Sequence, residues 1–265
     1  MLLMAAYSNV SLTYVPGVNG SKISEKAKPY KSNVTPTELG AWRAHANVWR
    51  KILDGPYETA LVLEDDIDWD IKINPIMSLM TKHIPGVTPA APWGHSSWDL
   101  LWLGACLHDP NPQRAGEDVR YDDPWGPTRD QLSDYDRKYF DKSVAGGPYK
   151  DSGERVIQRA HKPVCTMGYA VTKHAARKLL YNVGYRGLDG PVDLAMFSLH
   201  EKGILKGWVT WPALFNPWRV GGYHDSDIQS HPNGADKGNE GGASKKIKDS
   251  VRKAITKEYM APAVY

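Results

Sequence analysis

The sequence predicts an α/β protein, and three observations carry that prediction. A capped amphipathic helix runs from Thr35 to Leu53, an apolar strand follows at Ala60–Leu63, and the strand ends abruptly on Glu64, Asp65 and Asp66. Ala60–Leu63 has no polar face, so it reads as a central strand covered on both sides. An unpaired carboxylate is too costly in that interior. The acids are therefore expected at the strand's carboxyl end, where open α/β sheets bind ligands. Three adjacent like charges repel unless a cation or hydrogen-bond donors offset them, and hard divalent cations prefer oxygen ligands. The bland alternative is a solvated acidic turn, which the buried strand leading into it disfavours.

Taken in order, residues 1–8 read as the end of a helix, Ser11–Val15 as a strand, Pro16–Gly20 as a turn and Lys22–Asn33 as polar loop. The long helix opens on Thr35, with Pro36 at its first position and Glu38 completing a capping box. Leu39, Trp42, Ala46, Trp49 and Leu53 form its apolar stripe. Gly55, between Asp54 and Pro56, is the expected left-handed stop. His45 lies near the edge of the stripe, either as a satisfied boundary group or facing a ligand. Ile73–Ile84 suits a short helix and Trp98–Gly104 a strand. From His108 to His161 the chain turns polar and rich in Gly, Pro, Asp and Tyr, an unusual length for a structureless loop. It is expected to be an insertion with small elements of its own or a flap over the site.

Pattern resumes with a strand at Val164–Val171, a helix at Lys173–Tyr181, a short helix from Pro191 carrying Asp193, and a strand at Trp208–Trp211. Gly221–Ile228 is a glycine-rich turn. From Lys245 to Glu258, Ile247, Val251 and Ile255 make an i, i+4 stripe on a basic helix. Such a helix can lie on an anionic membrane surface, although docking on the domain is the plainer reading. The division expected is one domain over 1–230, interrupted by a loop-rich insertion at 107–162, and a polar, basic tail over 231–265.

The 265 residues suffice for one large domain or two small ones. A composition 41% hydrophobic and 24% charged is ordinary for a globular chain, and a net charge of +3 does not argue for nucleic acid. Ten Trp and fourteen Tyr against three Phe lean slightly toward carbohydrate contact, since amphipathic rings suit sugar faces. Cys106 and Cys165 have no metal-ligand spacing; they either pair or, as favoured here, stay buried thiols. No run approaches the length of about 18 apolar residues expected of a membrane span. Met1–Ala6 is too short for a signal peptide and lacks a basic start. The default expectation is cytoplasmic.

Several stretches, in order, resemble glycosyltransferase family 25, which holds bacterial lipooligosaccharide galactosyltransferases and procollagen galactosyltransferases. They are Glu38–His45, Ala60–Asp66, Trp98–Gly104, Gly168–Thr172 with Ala176–Leu180, Pro191–Asp193 and Ser226–Ile228. The long polar stretch looks more like fungal or other eukaryotic relatives, for which a secretory-pathway location is possible. The resemblance implies a GT-A-like, Rossmann-type mixed sheet flanked by helices. It implies a UDP-sugar donor, usually UDP-galactose, Mn2+ or Mg2+, and a glycan or glycoprotein acceptor. Glu64, Asp65 and Asp66 match the family's acidic, metal-binding motif, with Asp66 the first choice for direct ligand. Asp193 is the implied base, or only an early-turn acid favoured by the helix dipole. Val18, Gly20, His45, Asn216, Arg219, Ser226 and Asp227 fall where the family binds the donor. The apolar strand with which the family usually opens has no counterpart here, so a neighbouring strand is expected to carry an open edge. The alternatives are a catalytically lapsed nucleotide-sugar or glycan-binding protein and, less favoured, a metal-dependent phosphoesterase.

Overall fold

The capping box forms as the sequence predicts. In the computed structural model, which describes residues 1–109, 116–144, 146–219 and 246–259, the Glu38 carboxylate accepts the Thr35 N–H at 2.7 Å and Thr35 Oγ1 accepts the Glu38 N–H at 3.3 Å. This opens α2 (Pro36–Asp54), which a short α1 (Leu2–Tyr7) precedes. Gly55 is extended, with φ −99° and ψ 177°, not left-handed. Pro56 explains the difference, because a residue before proline is pushed out of helical space.

The sheet has six strands in the order β1 (Thr59–Leu63), β6 (Gly168–Thr172), β3 (Leu100–Trp102), β7 (Gly207–Trp211), β5 (Glu154–Arg159), β4 (Val119–Asp122). β6 is antiparallel to both β1 and β3, and β3 is parallel to β7. The carboxyl ends of β1, β3 and β7 and the amino end of β6 thus share one edge of the sheet. β2 (Ile67–Asp68) pairs separately with β8 (Asn216–Pro217). This is a mixed α/β sheet flanked by helices, consistent with a Rossmann-like glycosyltransferase fold.

β1 is the outermost strand, not a central one. Among the described residues it pairs only with β6, and Leu61 is 41% exposed. An apolar run reports which faces are covered, and Val62 is indeed buried, but it says nothing of which hydrogen-bonding edge is occupied. Among the described residues no strand pairs with the outer side of β1. Ser11–Val15 forms no strand.

Two apolar layers sandwich the sheet. On one face Trp42 and Trp49 of α2, Leu179 of α5 (Lys173–Leu179) and Met196 of α6 (Val192–Glu201) pack with Val62, Trp102 and Tyr169. On the other, Met4 of α1, Ile76 and Met80 of α3 (Ile73–Thr81) and Val251 of α7 (Val251–Tyr259) pack with Leu101, Leu103 and Trp208. Trp49, Trp69, Trp102, Trp208 and Trp211 are fully buried. These rings fill the core, which removes most of the argument for carbohydrate contact drawn from composition.

The polar stretch over 107–162 is more than a flap. It supplies β4, β5 and α4 (Asp134–Ser143), and its two strands complete the sheet beside β7. Its charges hide the strand pattern because they pair in the interior: Arg155 Nε meets Asp123 Oδ2 at 2.6 Å, and both side chains are nearly inaccessible. The described part of the 231–265 segment docks on the domain, the plainer of the two readings. Asp68 accepts from Ser250 Oγ at 2.5 Å, Asp70 from the Asp249 N–H at 2.8 Å, and the apolar stripe of α7 faces the core. That stripe is spent on packing, so it is not presented to a membrane. Among the described residues no helix is long and apolar enough to cross one.

Asp123→Ala strands Arg155 as a buried unpaired cation, and breaking a buried pair in this way costs about 3–5 kcal/mol. Urea unfolding should show a loss on that scale; a loss under about 1 kcal/mol, the value of an exposed pair, would contradict the role given to this pair.

Candidate active site

At the shared edge, β1 delivers Glu64, Asp65 and Asp66 in succession, and each is held differently. Glu64 Oε1 accepts from Thr166 Oγ1 at 2.6 Å and lies 3.7 Å from His45 Nε2. Behind it, Tyr169 hydroxyl lies 2.9 Å from His45 Nδ1 and accepts from Trp49 Nε1–H at 2.9 Å. A hydroxyl has one proton and two lone pairs, so Tyr169 is able to donate to Nδ1 while accepting from Trp49, the arrangement that leaves a proton on His45 Nε2 facing Glu64. Burial would push the Glu64 carboxyl up, but His45, the Thr166 hydroxyl and the Arg219 guanidinium hold it below the ordinary carboxylate range. Glu64 is therefore a fixed negative charge.

Asp66 behaves in the opposite way. Burial and then the charge of Glu64 raise its carboxyl, and Arg219 only partly offsets them. Arg219 reaches Asp66 Oδ2 at 3.2 Å, while its second terminal nitrogen, Nη1, is buried with no hydrogen-bond partner among the described residues. Asp65 is exposed. The turn is braced from behind: Trp218 N–H donates to Asp66 O at 2.8 Å, and Arg252 of α7 donates to Ile67 O at 3.0 Å while stacking over Trp218.

Asp193, in the first turn of α6, accepts the Cys165 N–H at 3.0 Å on Oδ2 and the Leu194 N–H at 2.9 Å on Oδ1. Cys165 neighbours Thr166, so the two acids are held by consecutive residues. Cys165 is bonded to Cys106, with Cα atoms 5.6 Å apart. This corrects the expectation of two buried thiols: residues 103–107 pair with 164–168 along the strand ends, which brings positions 59 residues apart together.

Of the residues named from the sequence, the structure gathers Glu64, Asp65, Asp66, His45, Arg219 and Asp193 around this edge. His45 is 8% exposed and faces Glu64 rather than an open surface. Asn216 is buried and spends its amide on Ala213 O at 3.1 Å. Val18 and Gly20 pack on the first turns of α2, where a Cβ on Gly20 would sit 1.7 Å from Pro36 O. Ser226 and Asp227 lie outside the described residues. Sequence reasoning missed the roles of Thr166, Tyr169 and Arg252; the first two lie in the strand expected at Val164–Val171 and the third on the basic helix, and none carries a local signal of its partner.

The acids alone do not complete a cage: among the described residues no group of three or more His, Cys, Asp or Glu side chains is arranged to hold a metal ion. A divalent cation here would take part of its ligands from elsewhere. Small hard cations commonly do so, completing their shell with water and substrate phosphates.

Over 185 aligned residues the chain is 23% identical to an Anopheles gambiae protein named glycosyltransferase 25 family member. That likeness supports a glycosyltransferase of family 25. It covers 64% of this chain and 24% of the mosquito protein, so the chain spans about a quarter of that relative's length. No family model matches the sequence.

Because Asp66 is raised, its charged form costs stability above its folded-state value; the cost shrinks as pH falls from there to the unfolded-state value of about 3.9 and is absent below it. Asp66→Asn should therefore unfold at higher urea than wild type at pH 7, and the gap should close toward pH 3. A variant less stable at pH 7 would mean that the Arg219 pair outweighs the crowding.

Proposed function

We propose that this chain is a metal-dependent inverting glycosyltransferase that moves a hexose, with galactose the first candidate, from a UDP-sugar to a hydroxyl of a glycan or glycosylated protein. The observation that carries the reading is the crowding of Glu64, Asp65 and Asp66 at the end of β1 beside an arginine whose buried Nη1 has no partner among the described residues. Carboxylates pressed together at a ligand-binding edge call for a cation, and a guanidinium with a spare donor calls for an anion. A metal-bound diphosphate answers both. Asp66, with Glu64 or Asp65 through water or the sugar's hydroxyls, would hold the cation, which when bound supplies positive charge to the departing diphosphate.

The remaining roles belong to the chain's own groups. Arg219 exchanges Asp66 for the diphosphate. Asp193 takes the proton of the acceptor hydroxyl as its oxygen bonds to the anomeric carbon; the bond from that carbon to the diphosphate breaks, and UDP leaves with the electron pair. Each Asp193 oxygen already accepts one amide N–H and keeps a second lone pair for that proton. A half-buried disulfide suits an oxidising compartment. One observation favours a second reading, a lapsed protein that binds nucleotide sugar without transfer: Arg219 already pairs with Asp66, the acid the cation needs.

UDP release from UDP-galactose with Mn2+ separates the two. The proposal expects turnover by wild type and a loss of at least about 100-fold in Asp66→Ala, the scale of removing one preorganised charge-stabilising group. Equal turnover in both proteins removes the acidic turn from the mechanism. UDP binding by calorimetry with no turnover supports the lapsed protein.

A further inference from the structure

Three consecutive residues fasten the two acids. The Cys165 N–H donates to Asp193, the Thr166 hydroxyl donates to Glu64, and Met167 O accepts the Glu64 N–H at 3.2 Å. Thr166 and Met167 are buried, at 5% and 3% exposure. Cys165 itself sits at φ +70°, in the left-handed region that a side chain enters only at a cost. Unlike asparagine, cysteine offers no local hydrogen bond to offset that cost, so the surroundings must impose the conformation. Two tethers are present. Asp193 holds the backbone N–H, and the disulfide to Cys106 holds the side chain against the end of β3, where Cys106 N–H also donates to Val164 O at 3.0 Å. Both cysteines are half-buried.

We propose that Cys165–Thr166–Met167, fastened by the Cys106–Cys165 disulfide, is the positioning element that sets Glu64 against Asp193, and that a dithiol reductant which opens this bond turns the site down. In the reduction, the dithiol passes two electrons and two protons to the S–S bond. It becomes a cyclic disulfide, and Cys106 and Cys165 each become a thiol. Freed of one tether, the peptide before Cys165 relaxes out of the left-handed region. Its N–H then turns away from Asp193, and Thr166 shifts against Glu64. A misplacement of about 1 Å is enough to cost on the order of 100-fold in rate.

The coupling runs both ways. If the acids hold the loop in the conformation that the disulfide requires, then removing either hold makes the disulfide easier to open. This part stands without any reading of the reaction; the loss of transfer rests on the proposed glycosyl transfer.

The test uses the full chain under native conditions and follows the rate at which dithiothreitol exposes thiols to a chromogenic reagent. Thr166→Val and Asp193→Ala, which leaves no side-chain acceptor for the Cys165 N–H, are expected to be reduced at least threefold faster than wild type with no ligand present. Thr166→Ser, which keeps the hydroxyl, should match wild type, and Asp54→Asn, an exposed acid on α2, should not differ. Urea midpoints within error of wild type tie a faster reduction to the loop rather than to global unfolding. Should Thr166→Val fail to fold, Asp193→Ala decides. Equal reduction rates in wild type and Asp193→Ala overturn the proposal. In a second arm, UDP release from UDP-galactose with Mn2+ is compared for oxidised protein and for protein reduced and alkylated at both cysteines. A fall of about 10–100-fold is expected, and unchanged release by an active protein overturns the proposal. If the oxidised wild type releases no UDP, the transferase reading fails, and the reduction rates alone decide the clamp.

Discussion

Three carboxylates on adjacent residues, at the end of a strand whose inner face is buried, cannot all be charged at low cost. Nearly everything around the candidate site follows from how that crowding is relieved. Glu64 is given a histidine and a threonine hydroxyl and stays ionised. Asp65 is left to water. Asp66 is given one arm of Arg219, which does not fully offset burial and the neighbouring charge. The site is thus held short of neutrality, the condition in which a mobile cation gains most by binding.

The fold supplies this arrangement by alignment. β1, β3 and β7 end on the same side, and antiparallel β6 begins there, so the acidic turn, the disulfide and the segment before β6 meet without any long excursion of the chain. The C-terminal segment closes the back of the site. Its Ser250 and Asp249 engage Asp68 and Asp70, and Arg252 braces the turn at Ile67. Asp68 and Asp70 are acids of a different kind from Asp66: both are buried and their oxygens are bonded to backbone or hydroxyl donors. Alternation along Asp66–Asp70 separates a half-buried acid paired only to Arg219 among the described residues from structural ones two residues away.

What was legible in the sequence was local. Thr35, Pro36 and Glu38 specify a helix start within four residues, and an apolar run stopping at three acids specifies a strand end. Asp193 at a helix start was legible on the same terms. What depended on partners distant in sequence was not. The apolar side chains of β1 are compatible with a central or an outer strand, because strand order is decided by pairing rather than by composition. β4 and β5 were hidden because Arg120, Glu154, Arg155 and Asp123 pair inside the fold, so their charges mimic loop. The bond between Cys106 and Cys165, and with it the hold on Glu64 and Asp193, required knowing that the end of β3 and the approach to β6 run side by side.

The most direct measurement is a crystal structure of the protein soaked with UDP and Mn2+, with the metal located by its anomalous scattering. The account predicts a manganese peak bonded to Asp66 and to the diphosphate, with the Arg219 guanidinium moved from Asp66 onto a phosphate oxygen. A diphosphate bound elsewhere, with Arg219 still on Asp66 and no metal at the end of β1, would contradict it.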